Sequence, residues 1–293
     1  MAKVVYTTLG RLQDSDANFR VWGLALSTAL QACGITKISE VASTGQIDWA
    51  TVAKPAGANT LQGYELYSFS DALQATQPVF IKVEYGSGAA ATNPAIRITV
   101  GTAHNGAGTL TGYKTTVRLV YSALMAVTVT VTSWVCGASD RLTFMLDLVG
   151  TAGTASFCCG CIERTHDVLG NNTTDGVLLS ITDSYQKTWL SFLSFTGGEI
   201  STTNVIDALV PSVGYGSIGS QTMVFPVFPT RGVFLNPFMN MLWIFSNNVT
   251  EKNVISFTHL GATRSYFPLS PGANFYYSIK ARVTEMAILL RYE

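Results

Sequence analysis

Val127-Thr128-Val129-Thr130-Val131-Thr132 is a strict two-residue alternation of β-branched side chains. Successive side chains of a strand point to opposite faces, and Val and Thr suit a pleated, half-buried surface, so this stretch reads as a β-strand. The same pattern repeats on both sides of it. Val79, Ile81, Val83 and Tyr85 alternate with Phe80, Lys82 and Glu84, which places the first four on one face and the last three on the other. Further strands are expected over residues 35–41, 64–69, 96–100, 117–121, 126–136, 142–149 and 156–164, and then over 177–182, 189–195, 253–259 and 281–292.

The pieces lie about 8 to 15 residues apart, with Gly, Asn, Asp and Pro between them. Such spacing leaves too little chain for helical crossovers, so a parallel α/β sheet is disfavoured. The fold class that follows is mainly β: an antiparallel sandwich or barrel-like arrangement with one N-terminal amphipathic helix. That helix is expected over residues 15–33. Ser15 and its acidic neighbours offer N-caps, and Phe19, Trp22, Leu26 and Leu30 recur at three- and four-residue spacing. Gly34 supplies the left-handed stop. Three regions result: an N-terminal helical segment (1–40), a β domain (41–170), and a second β region (171–293) carrying an extended arm rich in aromatics and prolines.

Charge is the second informative feature. Of 293 residues only 12% are charged, while 47% are hydrophobic and the formal net charge is zero. An ordinary soluble domain carries about 25% charged residues. A surface so poor in charge is expected to be covered by neighbouring subunits. The absence of a basic excess argues against nucleic acid and anionic membranes as partners. No apolar run is long enough for a transmembrane helix, and the first residues lack the apolar segment of a secretory signal. Cys33, Cys136, Cys158, Cys159 and Cys161 are odd in number and sit in a long chain, which suits reduced thiols made in a cytoplasm. Whether they cross-link in a mature assembly stays open.

Chemistry-bearing motifs are scarce. Cys158-Cys159-Gly160-Cys161, with His166 beyond, is the one metal-like grouping, yet neighbouring cysteines on a strand face opposite ways, and Cys136 would have to complete the set. Buried thiols are the simpler reading. His104, His166 and His259 have no adjacent nucleophile in a recognisable context. The glycine-rich residues 101–112 fit no phosphate-binding fingerprint and read as a turn between strands. Asp71, Glu84, Asp140, Asp147, Glu163 and Asp167 form no telling pair. No cofactor or metal is expected, and the chain is not expected to be an enzyme.

Several stretches resemble virion structural proteins of tailed bacteriophages: Gln46-Ile47-Asp48-Trp49, Asp71-Ala72-Leu73-Gln74-Ala75-Thr76, Pro78-Val79-Phe80-Ile81-Lys82-Val83-Glu84-Tyr85-Gly86-Ser87-Gly88, Ile98-Thr99-Val100-Gly101-Thr102 and Asn105-Gly106-Ala107-Gly108-Thr109-Leu110-Thr111-Gly112. The likeness covers about residues 7–115. It implies a structural subunit of the particle, made in the host cytoplasm and located in the virion. Such a subunit assembles with its own copies and with other virion proteins; the extended aromatic–proline arm and the long β block favour tail or baseplate over collar or head decoration. The expected interface residues are Phe19 and Trp22 on the helix and Phe225, Phe228, Phe234 and Phe238 on the arm. The alternative is a carbohydrate- or receptor-binding β module, in which Trp49, Tyr64, Tyr67 and Trp134 would stack on sugars.

Overall fold

The computed structural model describes residues 2–9, 15–40, 45–88, 91, 94–120, 130–148, 157–166, 169, 171–184, 187–194, 223–227, 230–231, 234–235, 238–245, 255–259, 262–269 and 286–291. In chain order the elements are β1 (Ala2–Leu9), α1 (Asp16–Ala32), β2 (Thr36–Ile38), β3 (Leu61–Ser68), β4 (Phe80–Ser87), β5 (Pro94–His104), β6 (Leu110–Val120), β7 (Thr130–Ala138), β8 (Arg141–Leu148) and β9 (Phe157–His166). There follow β10 (Asn172–Ser184), β11 (Lys187–Ser194), β12 (Met223–Val227), β13 (Thr230–Arg231), β14 (Phe234–Leu235), β15 (Phe238–Phe245), β16 (Ile255–His259), β17 (Ala262–Leu269) and β18 (Met286–Arg291). Every pairing between these strands is antiparallel.

The chain is therefore mainly β, sandwich-like, with one α-helix among the described residues. A six-stranded sheet runs β1-β7-β8-β9-β10-β11, and a five-stranded sheet runs β2-β3-β4-β5-β6. One hydrophobic core joins them to α1. It takes Tyr67, Ile81, Val83, Tyr85 and Ile98 from the five-stranded sheet and Val135, Phe144 and Ile162 from the six-stranded sheet. The expected alternation holds along β4: Val79, Ile81, Val83 and Tyr85 are all in this core. Of the alternating stretch at residues 127–132, the part from Thr130 onward opens β7; the first three residues lie outside the described ones. A third sheet runs β12-β15-β18-β17-β16.

Helix α1 begins and ends where its sequence says. The Ser15 side chain accepts from the Asn18 amide at 3.1 Å, filling one orphan donor of the first turn. Cys33 is the C-cap, and Gly34 follows at φ +89, a left-handed conformation that a Cβ would strain. The inward stripe is Phe19, Trp22, Leu26, Ala29 and Leu30, all buried.

Strand pairing crosses the expected region boundaries. β1 pairs along its whole length with β7, from Ala2↔Gly137 to Leu9↔Thr130, so the N-terminal segment is built into the main sheet. The expected boundary at residue 171 falls inside the β9–β10 hairpin, whose register runs from Asn172↔His166 to Asp183↔Phe157. The aromatic–proline block is strand-paired rather than a free arm: β12 pairs with β15, with Phe225 opposite Trp243. Pro226 sits where the register shifts, on an edge strand, which is where a residue without an N–H is tolerated.

Candidate functional site

The five-stranded sheet carries a buried carboxylate centre on each face, Glu65 of β3 on one and Glu40, bonded by the neighbouring β3 residue Tyr64, on the other. Glu65 points to the helix side with Tyr67, while Tyr64 and Leu66 point away. Five donors converge on Glu65, one from β3 itself and four from other parts of the chain. Its Oε1 accepts from Ser27 Oγ of α1 (2.7 Å), from Lys37 Nζ of β2 (2.5 Å) and from Trp49 Nε1 (3.1 Å). Its Oε2 accepts from Tyr67 Oη (2.7 Å) and from Tyr85 Oη of β4 (2.6 Å). A carboxylate offers about four lone-pair sites, so Glu65 is saturated.

Aromatic rings close over this centre. Trp49 meets Tyr85 edge-on at 4.8 Å between centroids and lies 5.8 Å from Phe19; Trp22 meets Tyr85 at 6.1 Å. Gly23 makes room for Trp49, because a Cβ there would lie 1.8 Å from the indole. The segment that carries Trp49 is tied to α1: Arg20 donates to the carbonyls of Val52 (2.7 Å) and Thr51 (2.9 Å), and the Lys54 amide donates to Asp16 (3.0 Å). Burial works against ionisation of Glu65. The hydrogen bonds from Lys37, Tyr85, Ser27 and Tyr67 outweigh it and hold the carboxyl below the usual glutamate range. Burial, reinforced by the negative charge of Glu65, drives Tyr67 and Tyr85 well above the usual phenol value. Both phenols therefore stay protonated and donating.

On the opposite face, the carboxylate of Glu40 is fully enclosed. Its Oε2 accepts from Tyr64 Oη (2.5 Å) and from the Gly108 amide (2.8 Å), and its Oε1 meets His104 Nδ1 (2.9 Å). The Phe80 and His104 rings are 4.6 Å apart, and Lys82 Nζ stands 4.4 Å above the Tyr64 ring. Gly108 has φ +78, and a Cβ on it would lie 2.5 Å from Tyr64 Oη, so backbone and space both require glycine there. Beside this centre, the Arg97 guanidinium grips Glu84 with Nε and Nη2, and Lys82 lies 3.2 Å from the same carboxylate. Burial disfavours the Glu84 charge, but Arg97 and Lys82 prevail and lower its pKa.

A third polar link joins the two sheets. Arg164 of β9 is fully buried; its Nε lies 2.6 Å from Asp71 Oδ2, and its Nη2 donates to the Gln77 carbonyl at 2.8 Å. Asn172 Nδ2 donates to the same aspartate at 3.1 Å.

The residues singled out from sequence fall as follows. Phe19 and Trp22 are not docking residues: they are 0% and 2% exposed, inside the chain's own core. Phe225 lies in β12, Phe234 in β14 and Phe238 in β15, whereas Phe228 lies outside the described residues. Tyr64 and Tyr67 are buried and Trp49 and Trp134 half-buried, so they do not form an open platform for a sugar. Cys33, Cys136 and Cys161 are buried. The register sets Cys136 opposite Thr143 and Thr143 opposite Cys161, so two strand spacings, about 10 Å, separate the sulfur-bearing positions. That is too far for a shared metal or a disulfide. Among the described residues no three His, Cys, Asp or Glu side chains converge as a metal site, and no helix is long and apolar enough to cross a membrane. Asp71 and Glu84 face cations rather than each other, and Asp140 pairs with Arg141 at 2.9 Å.

Glu40 and Glu65 were missed as centres, although one signal was present. The alternation over residues 64–69 puts Glu65 on the inward face between aromatic residues, where an ionisable group needs partners. Chemically these carboxylates anchor elements: their lone pairs are occupied by donors from α1, β2, β4 and the turn after β5. The sequence matches no known protein-family model and no curated protein.

Proposed function

We propose that this chain is a structural subunit of a tailed-bacteriophage particle, assembling with copies of itself and with other virion proteins in the tail or baseplate. The observation that carries the assembly reading is the outer face of α1. A helix lying on a soluble domain normally turns Lys, Glu or Arg to water. Here, beyond Asp16 in the first turn, the exposed positions are Ala17, Val21, Leu24, Thr28, Gln31 and Ala32, with Val21 60% and Leu24 48% exposed. They form an uncharged stripe about 20 Å long at 1.5 Å per residue. Several carboxylates near the five-stranded sheet, Glu65, Glu40, Glu84 and Asp71, are drawn inward onto cations or a histidine. A neutral stripe suits burial against a neighbour in a repeated assembly. The resemblance of residues 7–115 to virion proteins supports the particle as the place of that assembly. Phe225, Phe228, Phe234 and Phe238 belong to the proposal as a second contact region.

Negative-stain electron microscopy of the purified chain tests the reading. Rings, tubes or other regular oligomers are expected. Dispersed single chains at the highest attainable concentration would overturn it.

A further inference from the structure

The turn between β5 and β6 contains the sequence Asn105-Gly106, the single Asn–Gly pair in the chain. Asn105 is exposed, and its Oδ1 accepts from the amides of Ala107 (2.9 Å) and Thr109 (3.1 Å). Bonding to the amide two residues on makes an Asx-turn, which brings the carboxamide back toward the backbone around Gly106. The same two N–H groups polarise the side-chain carbonyl and are placed to stabilise negative charge on its oxygen. Gly106 has φ +73, and a Cβ there would meet nothing within 4 Å, so no side chain crowds the turn beside its nitrogen. The Gly106 amide donates to His104 Nδ1 at 3.3 Å, so the proton that has to leave already points at a ring nitrogen.

From this geometry we infer that Asn105 is a site of spontaneous covalent modification, through a succinimide formed with Gly106. The Gly106 nitrogen attacks Asn105 Cγ and forms an N–Cγ bond. The Cγ–Nδ2 bond breaks, and ammonia departs with the proton taken from the Gly106 amide. Water then opens the ring at one of its two carbonyls, giving aspartate or isoaspartate. No electrons are transferred, and water is the only co-reactant. The product lies next to the Glu40 centre. Isoaspartate lengthens the backbone by one carbon between His104 and Gly108, the two residues of this turn that meet Glu40, and either product adds a negative charge. The modification thus turns an exposed tip into a lever on a buried anchor.

The test uses the folded full chain, incubated at mildly alkaline pH and body temperature and then cleaved after Arg97 and Lys114. The resulting peptide, residues 98–114, has Asn105 as its only asparagine, so the mass change from amide to acid localises itself. Conversion to a mixture that contains isoaspartate, identified by electron-transfer fragmentation, is expected, with none in an Asn105→Gln chain. An unchanged peptide would overturn the inference. So would aspartate without isoaspartate, or conversion that needs the chain to be unfolded first.

Discussion

Glu65→Gln is the substitution that probes the fold most deeply for the smallest change in shape. The amide retains one acceptor oxygen and replaces the other with a donor. If the amide oxygen stays with Ser27, Lys37 and Trp49, then the Tyr67 and Tyr85 hydroxyls, at 2.7 and 2.6 Å, face an NH₂ group. Each buried donor left without a partner costs about 1–3 kcal/mol. Lys37 also loses its counter-charge, but its side chain is 32% exposed and stays hydrated, so this adds about 1 kcal/mol or less. These penalties overlap, so a loss of about 3–5 kcal/mol is expected, a large part of the roughly 5–15 kcal/mol that holds a typical domain folded. Urea unfolding followed by the fluorescence of the chain's five tryptophans, Trp22 and Trp49 among them, reads it as a fall in midpoint at unchanged slope. Tyr85→Phe alone should cost about 1.5–3 kcal/mol, since it removes one hydrogen bond to a charged acceptor. Combined with Glu65→Gln it should add less than that, because the acceptor is already compromised. A Glu65→Gln chain within about 1 kcal/mol of the parent would refute the view that this carboxylate ties α1 to the sheet.

Acid should act on the same centres. Glu65 and Glu84 have folded-state pKa values below their ordinary value of 4.5, so their contribution is complete above that pH and lost as pH falls through the depressed values. A stability profile flat from neutrality to about 5 and falling below 4.5 is expected by urea titration, and the fall should shrink in Glu65→Gln. Gly23→Ala should destabilise, although Gly to Ala inside a helix ordinarily gains about 1 kcal/mol. The new methyl would overlap the Trp49 indole, so thermal melting should show a loss accompanied by a changed tryptophan spectrum. Cys33, whose thiol is pushed up to about 12 by burial and by the neighbouring Cys136, should resist thiol reagents in the native chain and react only on unfolding, as mass-mapped alkylation would show.

The fold class was legible because its signals are local. Cap, stripe and glycine stop define α1 within 20 residues of sequence, and alternation defines β4 face by face. β1 was missed because Val4-Val5-Tyr6 has no period of two and its partner, β7, is more than 120 residues away in sequence. β17 was missed because Pro268 reads as a strand breaker; pairing with β16 stops at Tyr266, so the proline needs a neighbour on one side alone. The helix aromatics were read as a docking face because periodicity shows which residues share a face and not what covers it. Phe19 and Trp22 are covered by Trp49 and Tyr85 of the same chain, and the face left open is the one carrying Val21 and Leu24. The two carboxylate centres depend on residues as far apart as Glu40 and Gly108, a convergence that local pattern does not encode.

The central claim, that the neutral face of α1 is an assembly surface, is tested most directly by light scattering on the purified chain beside a Val21→Glu/Leu24→Glu variant. Both positions are solvent-facing, so the variant should keep the parent's circular dichroism. The account predicts a discrete oligomer for the parent and a smaller species for the variant. A parent that stays a single chain, or a variant that assembles as fully as the parent, would contradict it.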